Sequence, residues 1–103
     1  MTAGLTYENF ATNLNTMFRI HVSEHQTIEV VLSEVSEHLL SPGQERFSLV
    51  FRAPNQPFLP QGMHRFEHDQ LGSFDLFIVP IGRDEQSTQY EAVFNRLRPQ
   101  TSK

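Results

Sequence analysis

Two histidines four residues apart, His64 and His68 in the stretch MHRFEHD, are the closest this chain comes to a metal-binding or acid–base pattern. On a helix that spacing would bring both rings to one face. The stretch is fenced by Gly62 and Gly72, which leaves little room for a helix. On a strand, at about 3.3 Å per residue, the two positions stand roughly 13 Å apart. A zinc ion bonded at about 2.1 Å to each ring nitrogen does not span that separation. His64 and His68, with His21, His25 and His38, are therefore read as surface or hydrogen-bonded structural residues, and no metal ligand is assigned.

Other reactive groups fare no better. The chain has no cysteine, so thiol nucleophiles, disulfides and thiolate metal sites are all excluded. No serine sits in a glycine-flanked elbow, and the single, spaced glycines form no phosphate cradle. Glu67, Asp69 and Asp75 can line one edge across a turn at Gly72, where paired carboxylates do acid–base work only if burial separates their pKa values. Their plainer reading is the solvated face of strands. Arg46, Arg52, Arg65 and Arg83 are interleaved with Phe47, Phe51 and Phe66, a pattern that stacks bases and binds phosphates in some proteins. Eight Lys plus Arg against twelve Asp plus Glu give a net charge of −4, which opposes phosphate backbones and anionic lipid alike. The phenylalanines are accordingly assigned to a core. No catalytic residue, cofactor, nucleic-acid partner or membrane partner is expected.

A chain of 103 residues makes one domain around one core. The domain is assigned to residues 1–95 and a loose basic tail to 96–103. No window approaches the roughly 18 apolar residues of a membrane span, and Met1 to Phe10 lacks a basic stretch followed by an apolar run. A soluble protein of the cytoplasm is the expectation.

Such groups as exist must be positioned by strands. LTYENFATNLN carries the helix signals: Thr6 as cap, Glu8 at the positive end of the dipole, and Leu5, Phe10 and Leu14 as an apolar stripe. TMFRIHV then alternates Phe18, Ile20 and Val22 with Met17, Arg19 and His21, the period of a half-buried strand. In TIEVVLSEV, Ile28, Val30 and Leu32 share a face, but Val35 breaks the parity, which a bulge between Val31 and Glu34 would restore. SPGQE reads as a connection, and RFSLVFR puts Phe47, Leu49 and Phe51 inward. SFDLFIVPIG and QYEAVFN supply two more strands around the polar turn RDEQST. The fold class that follows is mainly β: a small antiparallel barrel or strongly curled sheet of about six strands with a short N-terminal helix. Leu76 to Ile81 is apolar on both faces, so each side needs a cover, either the helix or a partner.

The connection FRAPNQPFLPQG contains Pro54, Pro57 and Pro60, which stiffen it, and Phe58 and Leu59, which can anchor it to the core. A stiff exposed loop is a reasonable contact surface. The leading functional expectation is a non-enzymatic protein-interaction or accessory module, binding a protein partner or a second copy through Pro57, Phe58, Leu59, Pro60, Phe74 and Phe77. The alternative is a small-ligand barrel or enzyme with a pocket between the helix and the Pro54–Gly62 loop, lined by Phe58, Leu59 and Met63, with His64 or Arg65 adding polarity.

The segments Leu59-Pro60-Gln61-Gly62, Leu71-Gly72, Leu76-Phe77-Ile78-Val79-Pro80 and Tyr90-Glu91-Ala92-Val93-Phe94-Asn95 together resemble a bacterial domain-of-unknown-function family, number 6916. The likeness spans almost the whole chain. Where related sequences carry glycine after the helix and after the Phe-Arg pair, this chain has Asn15 and Ala53. Asn still tolerates a left-handed backbone, whereas Ala53 implies that none is needed there. The resemblance implies a small β-rich bacterial protein with no established activity, and so it transfers no catalytic residues. It also implies an accessory place in a tail-like or fibre assembly.

Overall fold

The computed structural model describes residues 5–36 and 39–97. The helix α1 spans Tyr7–Thr12, and Thr6 caps it by accepting the Asn9 backbone N–H on its side-chain oxygen at 3.1 Å. Replacing Thr6 with Ala should cost about 1 kcal/mol in a denaturant titration, the usual loss when a capping oxygen is removed. The chain reverses at Asn15, whose φ of 68° is left-handed, and the Asn15 N–H donates to the Leu32 carbonyl at 2.7 Å. Leu5 and Phe10 pack on the core as the stripe requires, but Leu14 is exposed. The helix has already ended at Thr12, so helical spacing no longer places Leu14 on that face.

Seven strands follow: β1 Met17–Ser23, β2 Gln26–Val35, β3 Leu39–Ser41, β4 Gln44–Ala53, β5 Gly62–His68, β6 Gly72–Arg83 and β7 Thr88–Leu97. Six of them run β2-β1-β5-β6-β7-β4, and a β2–β4 ladder closes the ring into an antiparallel barrel. Closure removes the free edges that an open sheet of this size would carry. The register shift falls between Leu32 and Glu34, where the break in parity requires it, and Val35 is returned opposite Leu49. Inward positions are those of the alternation: Phe18 and Ile20, Val30 and Leu32, Phe47, Leu49 and Phe51 are all buried.

The extra strand is β3, which pairs only with the start of β4. Its hairpin turns at Pro42 and Gly43, and the φ of 76° at Gly43 is one that only glycine adopts at no cost. Three residues are too few to display an alternation, so the sequence shows only a connection there. At the other end of the chain, β7 continues past residue 95, and Arg96 and Leu97 pair with Glu45 and Gln44. Residues 98–103 of the expected tail lie outside the described residues.

The helix does not cover the outer face of β6. Pairing of β6 with β5 runs from Gly72 to Ile78 and its pairing with β7 from Val79 onward, so the strand changes partners along its length. Pro80, which donates no backbone hydrogen bond, sits beside the register shift that follows. Into the end of the barrel α1 inserts Phe10, with ring centroids 6.0 Å from Phe74, 5.5 Å from Phe94, 6.3 Å from Phe47 and 6.5 Å from Phe18. The helix is a plug for the interior. Consequently Phe77 and Ile81 on the outside remain about half exposed.

Candidate functional site

β5 carries both histidines of the MHRFEHD stretch and gives them separate roles. Near its start the His64 Nε2 lies 3.0 Å from the Pro60 carbonyl oxygen. At its end His68 is buried and its Nδ1 accepts the backbone N–H groups of Gln70 at 3.1 Å and Leu71 at 3.3 Å. The Nε2 of His68 is 2.9 Å from the Thr16 hydroxyl, which itself donates to the Asn13 carbonyl at 2.6 Å. His68 is thus a structural residue joining the strand end to the helix exit.

The three carboxylates also have structural partners. On the outer face of β1 and β5, the Arg19 Nη2 meets the Asp69 Oδ1 at 3.0 Å and its Nε meets the Glu67 Oε1 at 3.6 Å. His21 adds its Nε2 at 3.2 Å from the Glu67 Oε2. Arg65 and Asp75, opposite one another in the β5–β6 ladder, close to 2.7 Å. Each carboxylate faces a guanidinium, as charged neighbours on a wet sheet face do. None of them is set against a buried second carboxylate, the arrangement that would make one an acid and the other a base.

The proline-rich loop is pinned at three points. Leu59 is buried and its N–H donates to the Tyr90 hydroxyl at 2.9 Å. Asn55 accepts from the Thr88 hydroxyl at 2.6 Å and donates to the Asp84 carbonyl at 2.9 Å. Asp84 in turn shapes the β6–β7 turn, its Oδ1 accepting from the N–H groups of Gln86 and Ser87 at 2.8 Å each. Those two donors hold its carboxyl below the ordinary range. The Gln56–Pro57 peptide is cis.

The six expected contact residues therefore divide. Leu59 and Phe74 are committed to the core, whereas Pro57, Phe58, Pro60 and Phe77 are exposed. Phe58 rests near Tyr90, with ring centroids 6.3 Å apart. Phe77 is paired in the ladder with Met63, among the described residues the most exposed large apolar side chain, at 67%. Ile81 and Val93 are also about half exposed, on β6 and β7. Together these side chains give the outside of β5–β6–β7 an apolar character.

The loop and the helix are tied to different parts of the barrel. Phe10 contacts Phe47 and Phe94, while the loop is tied to Thr88 and Tyr90. Along β4, Phe47 and Ala53 are the partners of Phe94 and Thr88, six residues or roughly 20 Å apart. Between those ends lie the rings of Phe18, Phe51 and Phe66, in contact at 5.3 and 5.0 Å. A ligand site between helix and loop would have to displace that core.

A feature the sequence did not reveal lies outside the barrel. A groove of about 410 Å³ runs beside β3, lined by Ser36, Leu39, Arg46, Phe47, Ser48, Glu91 and Val93. The Ser48 hydroxyl and the Ser48 N–H both donate to the Ser36 hydroxyl oxygen, at 2.8 and 2.7 Å, and so tie its wall to the barrel. Its sequence signal is Leu39, ahead of the Pro-Gly turn, a leucine about half exposed. No helix among the described residues is long and apolar enough to cross a membrane.

A family model described as a domain of unknown function (DUF6916) matches residues 5–94, from the residue before the helix cap to the inward phenylalanine of β7. No curated protein and no solved structure matches the chain.

Proposed function

We propose that this chain, which belongs to the DUF6916 family, is a non-enzymatic interaction module that binds a protein partner or a second copy through the outside of β5–β6–β7. The observation that carries the reading is the Met63–Phe77 pair: two large apolar side chains, on neighbouring strands, 67% and 49% exposed. Phe58, Ile81 and Val93 add further exposed apolar surface. Contiguous exposed apolar surface on a compact domain is a mark of association. The flanking Arg65–Asp75 pair would supply the polar rim of such a contact. A role as an accessory of a tail-like or fibre assembly is part of the proposal.

Light scattering across a concentration series, together with affinity capture from a lysate of the source cell, tests it. The wild-type chain is expected to self-associate or to retain a partner. Met63→Lys with Phe77→Lys should weaken that association at least tenfold, about 1.4 kcal/mol. Both side chains point outward, so the melting temperature should barely move. A strict monomer that captures nothing, or lysine variants that associate as the wild type does, would overturn the proposal.

A further inference from the structure

His68 is buried where three separate elements meet: the exit of α1, the start of β1, and the β5–β6 turn. Its protonation state follows from its partners. The Thr16 hydroxyl has already given its proton to the Asn13 carbonyl, so it accepts at the contact with Nε2, and Nε2 carries the imidazole hydrogen. Nδ1 accepts from two backbone N–H groups and must be bare. The ring is therefore a neutral Nε2–H tautomer, packed 4.2 Å from the Phe18 ring centroid.

We propose that His68 is a proton-operated latch, in which protonation of Nδ1 releases the β5–β6 turn and the helix exit while the rest of the barrel stays folded. A proton taken from solvent onto Nδ1 turns an acceptor into a donor. It then opposes the Gln70 and Leu71 N–H groups, which lose their acceptor together. Leu71 is buried and its N–H cannot turn to water without movement of the turn. The charged groups that act on the ring are Asp69 beside it, which favours the charged form, and Arg19 on β1, which opposes it. Burial is the larger influence and holds the imidazole below its ordinary value. Phe18 and Thr16, which meet His68, and Asn13, which accepts from the Thr16 hydroxyl, are uncharged.

The direction of the pH effect follows. Above the ordinary imidazole value of about 6.5 neither the closed nor the opened form binds the proton. As pH falls below it the opened form binds first, so opening is progressively favoured until the closed form also titrates at its lower value.

Amide exchange followed by NMR on the intact chain, as protection factors between about pH 7.5 and about pH 5, reads this directly. Protection at Gln70, Leu71 and Thr16 should fall at least tenfold more than at Leu49 and Phe51 in β4. The His68 ring nitrogen shifts should report Nδ1 protonation over the same range. His68→Gln, which keeps a donor and an acceptor but does not titrate there, should remove the difference. If that variant does not fold, the ring shifts and exchange of the wild type still decide. Equal loss at the turn and in β4, unchanged protection at the turn throughout, or an acid response retained in His68→Gln would overturn the proposal.

Discussion

Replacing Phe10 with alanine is expected to destabilise the protein by about 3–5 kcal/mol, the range for truncating a fully buried phenylalanine. The residue is wholly inaccessible and has four phenylalanine rings within 6.5 Å. Its loss leaves a void at the barrel end. A second effect compounds this one. α1 has six residues, far below the length at which a helix persists by itself in water, so packing rather than propensity keeps it formed. Without Phe10 the helix should undock, and exchange of its amides should rise beyond what the global loss explains. With roughly 4 °C or more per kcal/mol for a domain of this size, a melting-temperature drop of about 12 °C or more is the readout. A loss below about 1 kcal/mol would mean that the helix is an ornament on a barrel already closed by its strands.

Tyr90→Phe tests the other end. Tyr90 is fully buried, and its hydroxyl receives the Leu59 N–H at a buried position. Removing that oxygen leaves a buried donor without an acceptor, which costs about 1–3 kcal/mol although the change in volume is slight. The effect should be local as well. Leu59 is the point at which the proline-rich loop enters the core, so limited proteolysis between Pro54 and Gly62 should accelerate more than cleavage elsewhere. Equal stability and an unchanged cleavage pattern would leave Asn55, with its bonds to Thr88 and Asp84, as the anchor that holds the loop. Phe10 and Tyr90 lie at opposite ends of the barrel, and in a double variant their costs should add to within about 0.5 kcal/mol.

The strand alternation was legible because a strand repeats every two residues, whichever strand it pairs with. Phe18 and Ile20, Phe47, Leu49 and Phe51 declare their inward face through their neighbours, and the bulge before Val35 shows as a break in the same rhythm. Cap and turn chemistry was legible for a similar reason: Thr6, Asn15 and the Pro42-Gly43 pair act on the backbone beside them. Leu14 misled because a helical stripe holds only as far as the helix, and the end of α1 is set by Asn13 and Asn15. β3 was missed because three residues carry no period.

The candidate site was less accessible. His64 and His68 share a residue type and a strand, yet one sits near a loop carbonyl and the other anchors a buried turn. The partners of His68 lie 52 residues away at Thr16 and two to three residues away at Gln70 and Leu71. Leu59 and Phe58 are adjacent, yet Leu59 is buried with its N–H on the Tyr90 hydroxyl and Phe58 is exposed. The apolar run from Leu76 to Ile81 showed that both faces of β6 needed an account, but not which would be left bare.

By itself, then, the sequence determined everything that depends on near neighbours along the chain: a mainly-β fold, inward faces, a capped helix, and the absence of thiol chemistry. Tertiary structure alone decided what depends on ring closure. Closing β2 onto β4 fixed which strand ends oppose each other, sent the helix into the barrel end instead of onto β6, and so exposed Met63 and Phe77. The reason is physical: periodicity specifies a face, whereas the partner of that face is chosen by long-range pairing whose free energy no local segment contains.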